Sequence, residues 1–365
     1  MLNNNKGIAI LITLTAIVVM VAVGFELNRQ IQSSAARTGI GRDMVTLQQM
    51  VASGVGIAES ILVKDKNETE ADSVQEDWAD PEIVRQYVEA AGFEEENLSV
   101  EITDELGRIQ VNALVEFPDG KEFNVAQREL WVRFFNLILD ELENQEVSED
   151  VIENLEPDMI INPVKDWLDS GDDDAITGLT GAEQDYYMSL DSPYSCRNGP
   201  FRHISELLRV KNVDPVLFSK TGENPGLNEF ITVYGMEPLQ KDKHEVSYPG
   251  QININTAAVP VLAALLPEGH EFLAAEIADY RQAMSNGEYV NDLQGANWYK
   301  NVAGLGNVDI KDELITTKSD LFRIRCEAEK NGNRLSATVI VKRRQAEETG
   351  KWQCKVLNWQ YGQDM

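Results

Sequence analysis

The sequence predicts an α+β fold carried on a long N-terminal membrane helix and interrupted by a large helical insertion. Three observations lead there. An uncharged, mostly apolar run from Ile8 to Phe25 passes without proline into helix-like sequence as far as about Lys64. Segments that alternate apolar and polar residues lie near residues 98–111 and again after residue 320. Between them, roughly 124 to 315, the composition turns helical and acidic. Strands segregated from helices in this way point to two subdomains.

The apolar run comes first. Its 18 residues make roughly 27 Å of helix at about 1.5 Å per residue, enough to cross a hydrocarbon core. A secretory h-region is shorter, and the nearest small-residue cleavage site, Ser34-Ala35-Ala36, is cut off from the run by Glu26-Leu27-Asn28-Arg29. A plain signal anchor, with Lys6 holding the amino end in the cytoplasm, fits the same residues. The junction Lys6-Gly7-Ile8 supplies a third reading, because a short polar leader, a basic residue and a glycine before an apolar helix resemble the prepilin leader. That resemblance implies cleavage between Gly7 and Ile8 with the helix kept, residues 1–7 being the leader and 8–25 the transmembrane part.

Residues 26–64 continue the helix outside the membrane, with Ile31, Ala35, Val45, Leu47, Val51, Val55, Ala58 and Leu62 falling broadly on one face. A polar loop follows over 65–80, then a short amphipathic helix near Pro81 to Ala91. "LSVEITDELGRIQVNAL" reads as a β-hairpin turning at Asp104-Glu105-Leu106-Gly107, which places the first part of the small sheet domain at 65–123. The insertion spans 124–315, with "LWVRFFNLILDEL", "ISELLRV" and "VPVLAALLP" as helical segments. Residues 316–365 return to strands, "LFRIRCEAEKNGNRLSATVIVKRR" turning at Asn331-Gly332-Asn333 before "WQCKVLNWQYG".

Composition narrows the function. With 61 Asp+Glu against 32 Lys+Arg the net charge is −29, which disfavours nucleic acid, whose affinity rests on Lys and Arg neutralising phosphates. His203, His244 and His270 are far apart with no HExxH, and no GxSxG or P-loop is present, so no enzyme is expected. Cys196, Cys326 and Cys354 lack metal-type spacing; one pair forms a disulfide in an exported chain, or all three are small core residues.

Two stretches carry more. In "DWLDSGDDDAITGLTGAEQDYY", residues 166–187, five aspartates fall within nine positions, with Glu183 and Asp185 beyond a glycine-containing loop. Carboxylates so close repel unless water or a cation screens them, and calcium takes six to eight oxygens from such loops. Asp172, Asp174 and Glu183 sit at the first, third and twelfth places of an EF-hand loop, but Ile176 fills the fifth and the glycine comes one residue late, so this is not an EF-hand. Trp167, Tyr186 and Tyr187 tie the loop to a core; the alternative is a solvated acidic surface. The second stretch, "YPGQININTAAVPVLAALLPEG", has Thr256 placed as an N-cap for an apolar helix. It resembles the helix-hairpin-helix modules that bind DNA backbones, and a membrane-anchored DNA-binding protein of an uptake system is the alternative function. Its turn, Leu266-Pro267-Glu268-Gly269-His270-Glu271, carries two acids, so the scaffold is expected without a phosphate site.

Taken in order, the leader junction, "DELGRIQVNAL", "DWLDSGDDD…GAEQDYY", "SPYSCRNGPFRHISELLRV", "ININTAAVPVLAAL" and the closing strands resemble the K-class minor pseudopilins of bacterial type II secretion systems. The loop after Trp167 departs from that pattern at Ser170-Gly171. The resemblance implies a long N-terminal helix, a pseudopilin α+β core and a helical insertion with sterile-alpha-motif-like and helix-hairpin-helix-like packing. It implies an inner-membrane protein with its bulk in the periplasm and an N-methylated mature terminus at Ile8. Expected partners are the I- and J-class minor pseudopilins at the tip of the pseudopilus, with the major pseudopilin, the secretin and secreted substrates as further candidates. It also implies structural Ca2+, with Asp169, Asp172, Asp174, Glu183 and Asp185 as carboxylate ligands, Asp166 capping or orienting a helix, and Asp173 facing solvent.

Overall fold

A computed structural model describes residues 5–144, 155–170, 176–219, 226–238 and 245–362. Helix α1 (Asn5–Glu68) runs unbroken for 64 residues, about 96 Å at 1.5 Å per residue. Among the described residues its first half is exposed, over 7–34 and 37–42, as expected of a segment whose neighbours are lipid. The second half presents Leu47, Val51, Val55, Ala58, Ile61 and Leu62 to a core, while Ile31 and Val45, predicted on that stripe, stay exposed.

That core is a four-stranded antiparallel sheet of β1 (Leu98–Asp104), β10 (Leu321–Lys330), β11 (Asn333–Gln345) and β12 (Trp352–Gly362), in that order. The period-2 pattern turns Leu98, Val100, Ile102, Phe322, Ile324, Cys326, Val339 and Val341 onto the helix, where all are buried. Gly54 makes the contact close. A Cβ there would lie 3.0 Å from Val100, 3.1 Å from the Cys326 sulfur and 3.3 Å from Leu98. Asn331 and Gly332, both at positive φ (52° and 77°), close the β10–β11 hairpin as the sequence predicts. Helix α2 (Pro81–Ala90) starts at Asp80, whose carboxylate accepts from the amides of Glu82 and Ile83, and packs on β1.

The predicted hairpin over 98–111 does not form. β1 pairs along its length with β10, Leu98 opposite Ala328 and Asp104 opposite Phe322. A 3-10 turn at Glu105–Gly107 then carries the chain away, and β2 (Ile109–Gln110) pairs in parallel with β3 (Ile231–Thr232). Ile109, Val111, Leu114 and Val115 belong to a second, larger core that extends to Ile315. The insertion therefore begins near residue 109 and not at 124.

The larger core is built from α3 (Val125–Asn144), α4 (Pro157–Leu168), α5 (Gln184–Met188), α6 (Pro215–Phe218), α7 (Val259–Leu265) and α8 (Ala274–Gln282). Two small hairpins, β4–β5 (Glu237–Pro238 with Val246–Ser247) and β7–β8 (Met284–Ser285 with Glu288–Tyr289), decorate it. β6 (Ile252–Asn253) pairs in parallel with β9 (Ile315–Thr316). Thr256 does not cap α7, whose N-cap is Ala258; its hydroxyl donates to Asp104 Oδ2 at 2.7 Å instead. Asn253 Nδ2 donates to the same oxygen at 2.7 Å and to the Asp72 carbonyl at 2.9 Å, so this motif stitches the insertion to the smaller core. Helices α7 and α8 pack against each other across the connection at 266–273. At its turn the Gly269 amide donates to Glu271 Oε1 at 3.0 Å, engaging with an acid the kind of group that would otherwise meet a phosphate. All three cysteines are free thiols, Cys196 and Cys326 buried and Cys354 half-buried.

Candidate metal centre

Helix α4 ends beside the acidic loop. Its last turns carry Asp166 and, at the C-cap, Asp169, an i,i+3 pair that shares one side of the helix. The chain returns at 176–183 and brings Glu183 back as the N-cap residue of α5. The Glu183 side chain does not cap that helix. It meets the two aspartates instead, with one carboxylate oxygen from each of Asp166, Asp169 and Glu183 lying within 4.8 Å of the others. All three residues are buried, Asp166 completely.

The return loop is held from several sides. Asp166 accepts from the Thr177 amide at 3.1 and 3.2 Å and from the Ala182 amide at 2.8 Å. Asn162 Nδ2 donates to Thr180 Oγ1, whose hydroxyl donates to the Asp158 carbonyl. Lys211 Nζ donates to the carbonyls of Thr180 and Gly181. Gly181 is required by space: a Cβ would stand 2.2 Å from Asp166 Oδ2. Trp167 meets Tyr187 edge-on at 5.1 Å and stacks on Phe201 at 6.2 Å, fixing the end of α4 in the core. Burial pushes the nearby Cys196 thiol up to about 11, and the charges of Glu183 and Asp169 add to the rise. A local excess of negative charge is what a cation would relieve.

Of the residues predicted from sequence, Asp169 and Glu183 come together. Asp172 and Asp174 lie outside the described residues, as does Asp173. Asp185 is exposed in the first turn of α5 and stands apart from the buried group, because helical geometry turns it away from Glu183. Asp166, expected only to cap or orient, both ties the loop and forms the third corner; its i,i+3 spacing from Asp169 was the signal. Lys165 Nζ lies 2.8 Å from Asp169 Oδ2 and partly balances the site. The donor set of buried hard oxygens fits calcium, provided the lysine swings aside and backbone carbonyls or water complete the shell.

A second buried carboxylate group, Asp65, Asp72 and Glu76, is held by a protein cation. Arg343 donates to Asp65 Oδ2 at 2.8 Å, to Asp72 Oδ1, to the Leu62 carbonyl at 3.0 Å and to the Ser319 carbonyl at 2.9 Å. Its guanidinium also lies 4.8 Å from the Phe322 ring centre. One side chain thereby joins the end of α1, the polar loop and strand β11.

Against this architecture, the family model described as "Type II secretion system (T2SS), protein K" matches residues 107–224. Over those residues the chain is similar to type II secretion system protein K. It is 28% identical over 275 residues to a type II secretion system protein K of Pseudomonas aeruginosa, covering 73% of this chain and 69% of that one. To the protein K of Aeromonas hydrophila it is 24% identical over 217 residues, 59% of this chain and 61% of the relative. Its fold matches a chain in the crystal structure of the GspK-GspI-GspJ complex from the enterotoxigenic Escherichia coli type 2 secretion system. The TM-score is 0.58 at 18% identity, over 90% of this chain and 100% of that one. Its N-terminal helix is long and apolar enough to cross a membrane, by length and composition.

Proposed function

We propose that the chain is a minor pseudopilin at the tip of a type II secretion pseudopilus, anchored in the inner membrane by the first half of α1, with its bulk in the periplasm. The observation that carries this reading is the continuity of α1: one helix leaves the membrane segment and becomes the central rod of the smaller core. Such a rod transmits movement in the membrane to the folded part without a hinge. The partners are the I- and J-class minor pseudopilins, by analogy with the complex that contains the E. coli neighbour. The role is mechanical, nucleating a fibre that helps drive folded proteins through the outer-membrane secretin, and involves no catalysis. The DNA-binding alternative finds no support in a turn whose amide is engaged by Glu271.

A tip position is supported by Ile12, the fifth residue after the Gly7–Ile8 junction. Most pilin-like proteins place there a glutamate that pairs with the amino terminus of a neighbour. An unpaired carboxylate at that depth costs about 2.5–3.5 kcal/mol on insertion scales, so a subunit with nothing above it is better served by an apolar residue. Co-purification of the detergent-extracted chain with partner identification tests the assembly. Crosslinking in cells is expected to place one copy at one fibre end, and detection along the whole fibre would reject the tip position.

The acidic group takes Ca2+ in this reading. Asp169 and Glu183, with Asp166, supply buried carboxylates, and Asp172 and Asp174 remain proposed ligands. The ion's part is structural: it neutralises the group and pins the return loop to the end of α4.

A further inference from the structure

The small sheet has two free edges. Among the described residues its strands run β1-β10-β11-β12, so the outer sides of β1 and β12 have no neighbouring strand. The two edges differ. The pairing of β12 with β11 is broken by a register shift at Ile340–Val341, the kind of irregularity that guards an edge. β1 keeps an unbroken register with β10 from Leu98 to Asp104.

Which groups β1 leaves open follows from that register. The Glu329 amide donates to the Asn97 carbonyl at 2.9 Å, and the Arg343 amide donates to the Asp320 carbonyl at 2.6 Å. Both bonds give one phase: odd-numbered residues of β10 bond to β1 and even-numbered ones to β11. Ser99, Glu101 and Thr103 therefore commit their backbone groups to β10, while Val100 and Ile102 turn N–H and C=O outwards. A groove of about 430 Å³ runs beside them, between β1 and α2. Every residue from Leu98 to Thr103 lines it, so it follows the edge of the strand and not one face. At about 3.4 Å per residue that edge is roughly 20 Å long. Trp78, Val84 and Val88 form the apolar wall opposite.

The rim of the groove is acidic. Arg85 is shared among Glu82, Glu89 and Glu95. Glu101, on the outward face of the strand, reaches Arg325 only at 3.9 Å. Glu94 and Glu96 are exposed beside them. One guanidinium among so many carboxylates leaves a negative field along the edge, which favours a cationic visitor.

We propose that the free edge of β1 receives an extended segment of a partner protein, in which apolar and basic residues alternate, as a fifth, antiparallel strand. Antiparallel pairing is the more stable of the two kinds. Backbone bonds to Val100 and Ile102 hold the segment whatever its sequence, and alternation supplies the selectivity. Added residues opposite Val100 and Ile102 point inwards to the wall of Trp78, Val84 and Val88, and are apolar. Those opposite Ser99, Glu101 and Thr103 point outwards beside the glutamates, and are Lys or Arg. The inference depends on neither the tip position nor the calcium site.

The test is amide hydrogen exchange on the detergent-solubilised full chain, with and without acetyl-Lys-Val-Lys-Val-Lys-Val-Lys-amide. Exchange is expected to slow over residues 98–104 and to stay unchanged over 352–362. In fluorescence anisotropy the labelled peptide should bind, and its Glu-for-Lys counterpart should not. Methylating the valine amide nitrogens should abolish binding while methylating the lysine ones spares it, because in this pairing only the valine N–H groups face β1. Glu95→Lys combined with Glu101→Lys should weaken binding by about fivefold or more. Both positions are exposed, and an unchanged melting temperature verifies the fold of the variant. Undiminished binding of the valine-methylated peptide, protection at 352–362 in place of 98–104, or no binding at millimolar peptide would overturn the proposal. Protection of 98–104 that grows with protein concentration alone would assign the edge to a second copy of this chain and overturn it equally.

Discussion

Arg343→Met is expected to cost more stability than any surface change in the smaller core. The guanidinium is fully buried, as is Asp72, and Asp65 is nearly so. Methionine approximates the stem but leaves two carboxylates and the Leu62 and Ser319 carbonyls without their donor. Removing one partner of a buried ion pair costs about 3–5 kcal/mol, chiefly from the charge left behind. The pH dependence follows from the carboxylates. Burial pushes Glu76 up to about 8, with the charge of Asp65 adding to the rise, and burial pushes Asp65 up to about 6 against the pull of Arg343. Both folded values stand above the ordinary 4.5 and 3.8. Between those limits the folded chain keeps protons that the unfolded chain releases, so the contribution of this cluster to stability falls as pH rises from about 4 to about 8. Without Arg343 only the smaller pull of Lys66 opposes the rise at Asp65, and the loss relative to wild type should be smaller at pH 5 than at pH 8. Urea unfolding followed by tryptophan fluorescence suits the measurement, since Trp78 packs edge-on against Phe322 at 5.1 Å beside the cluster. A loss below about 1 kcal/mol at pH 8, or a larger loss at pH 5 than at pH 8, would refute the reasoning.

Calcium is expected to raise the melting temperature of the insertion, by the equivalent of about 2.7 kcal/mol at a hundredfold excess over Kd. Chelator should reverse the gain, and Glu183→Ala should remove most of it. Gly181→Ala should impair the same response, because its Cβ would stand 2.2 Å from Asp166 Oδ2; a melting temperature indifferent to chelator in all three proteins returns the loop to a solvated acidic surface. Gly54→Leu should destabilise the smaller core by at least about 1–3 kcal/mol through overpacking against Val100, Leu98 and Cys326, read by thermal unfolding; a neutral result would mean that α1 does not lie where described. Amino-terminal sequencing of the membrane-bound form should begin at Ile8, and a start at Met1 or near residue 37 would reject leader processing.

What could be read from sequence was local. The unbroken run into α1 and the Asn331-Gly332 turn depend on neighbours within a few residues, and both appear as predicted. The alternation over Leu98–Asp104 correctly marked a strand, yet period 2 says which face is buried and nothing of which strand lies alongside. The partner is β10, far down the chain, and the segment that looked like the return strand leaves for the other core. The acidic loop was visible as a composition, but the arrangement at its heart was not. Asp185 lies two residues from Glu183 and is exposed, whereas Asp166 meets Glu183 only because Trp167 and Tyr187 fix how α4 and α5 approach. Arg343 carried no signal at all: in a strand rich in basic residues it looked like one more solvated side chain.

The pairing of β1 with β10 has a consequence for the order in which the protein is made. In the proposed topology the amino end stays behind as the anchor and the chain crosses in order from about residue 26, so the rod and its first strand emerge with their apolar faces uncovered. They stay so until residues 321–345 follow, because among the described residues no nearer strand completes the sheet. The insertion holds nearly all of its own apolar partners between Ile109 and Ile315, and can collapse while the rod still waits. A nascent chain is thus vulnerable for as long as the insertion takes to be exported, with Val51, Val55 and Ile61 available to any passing hydrophobic surface. Chaperone capture or proteolysis of translation-arrested chains should therefore concentrate on residues 43–104 and cease once β11 is out.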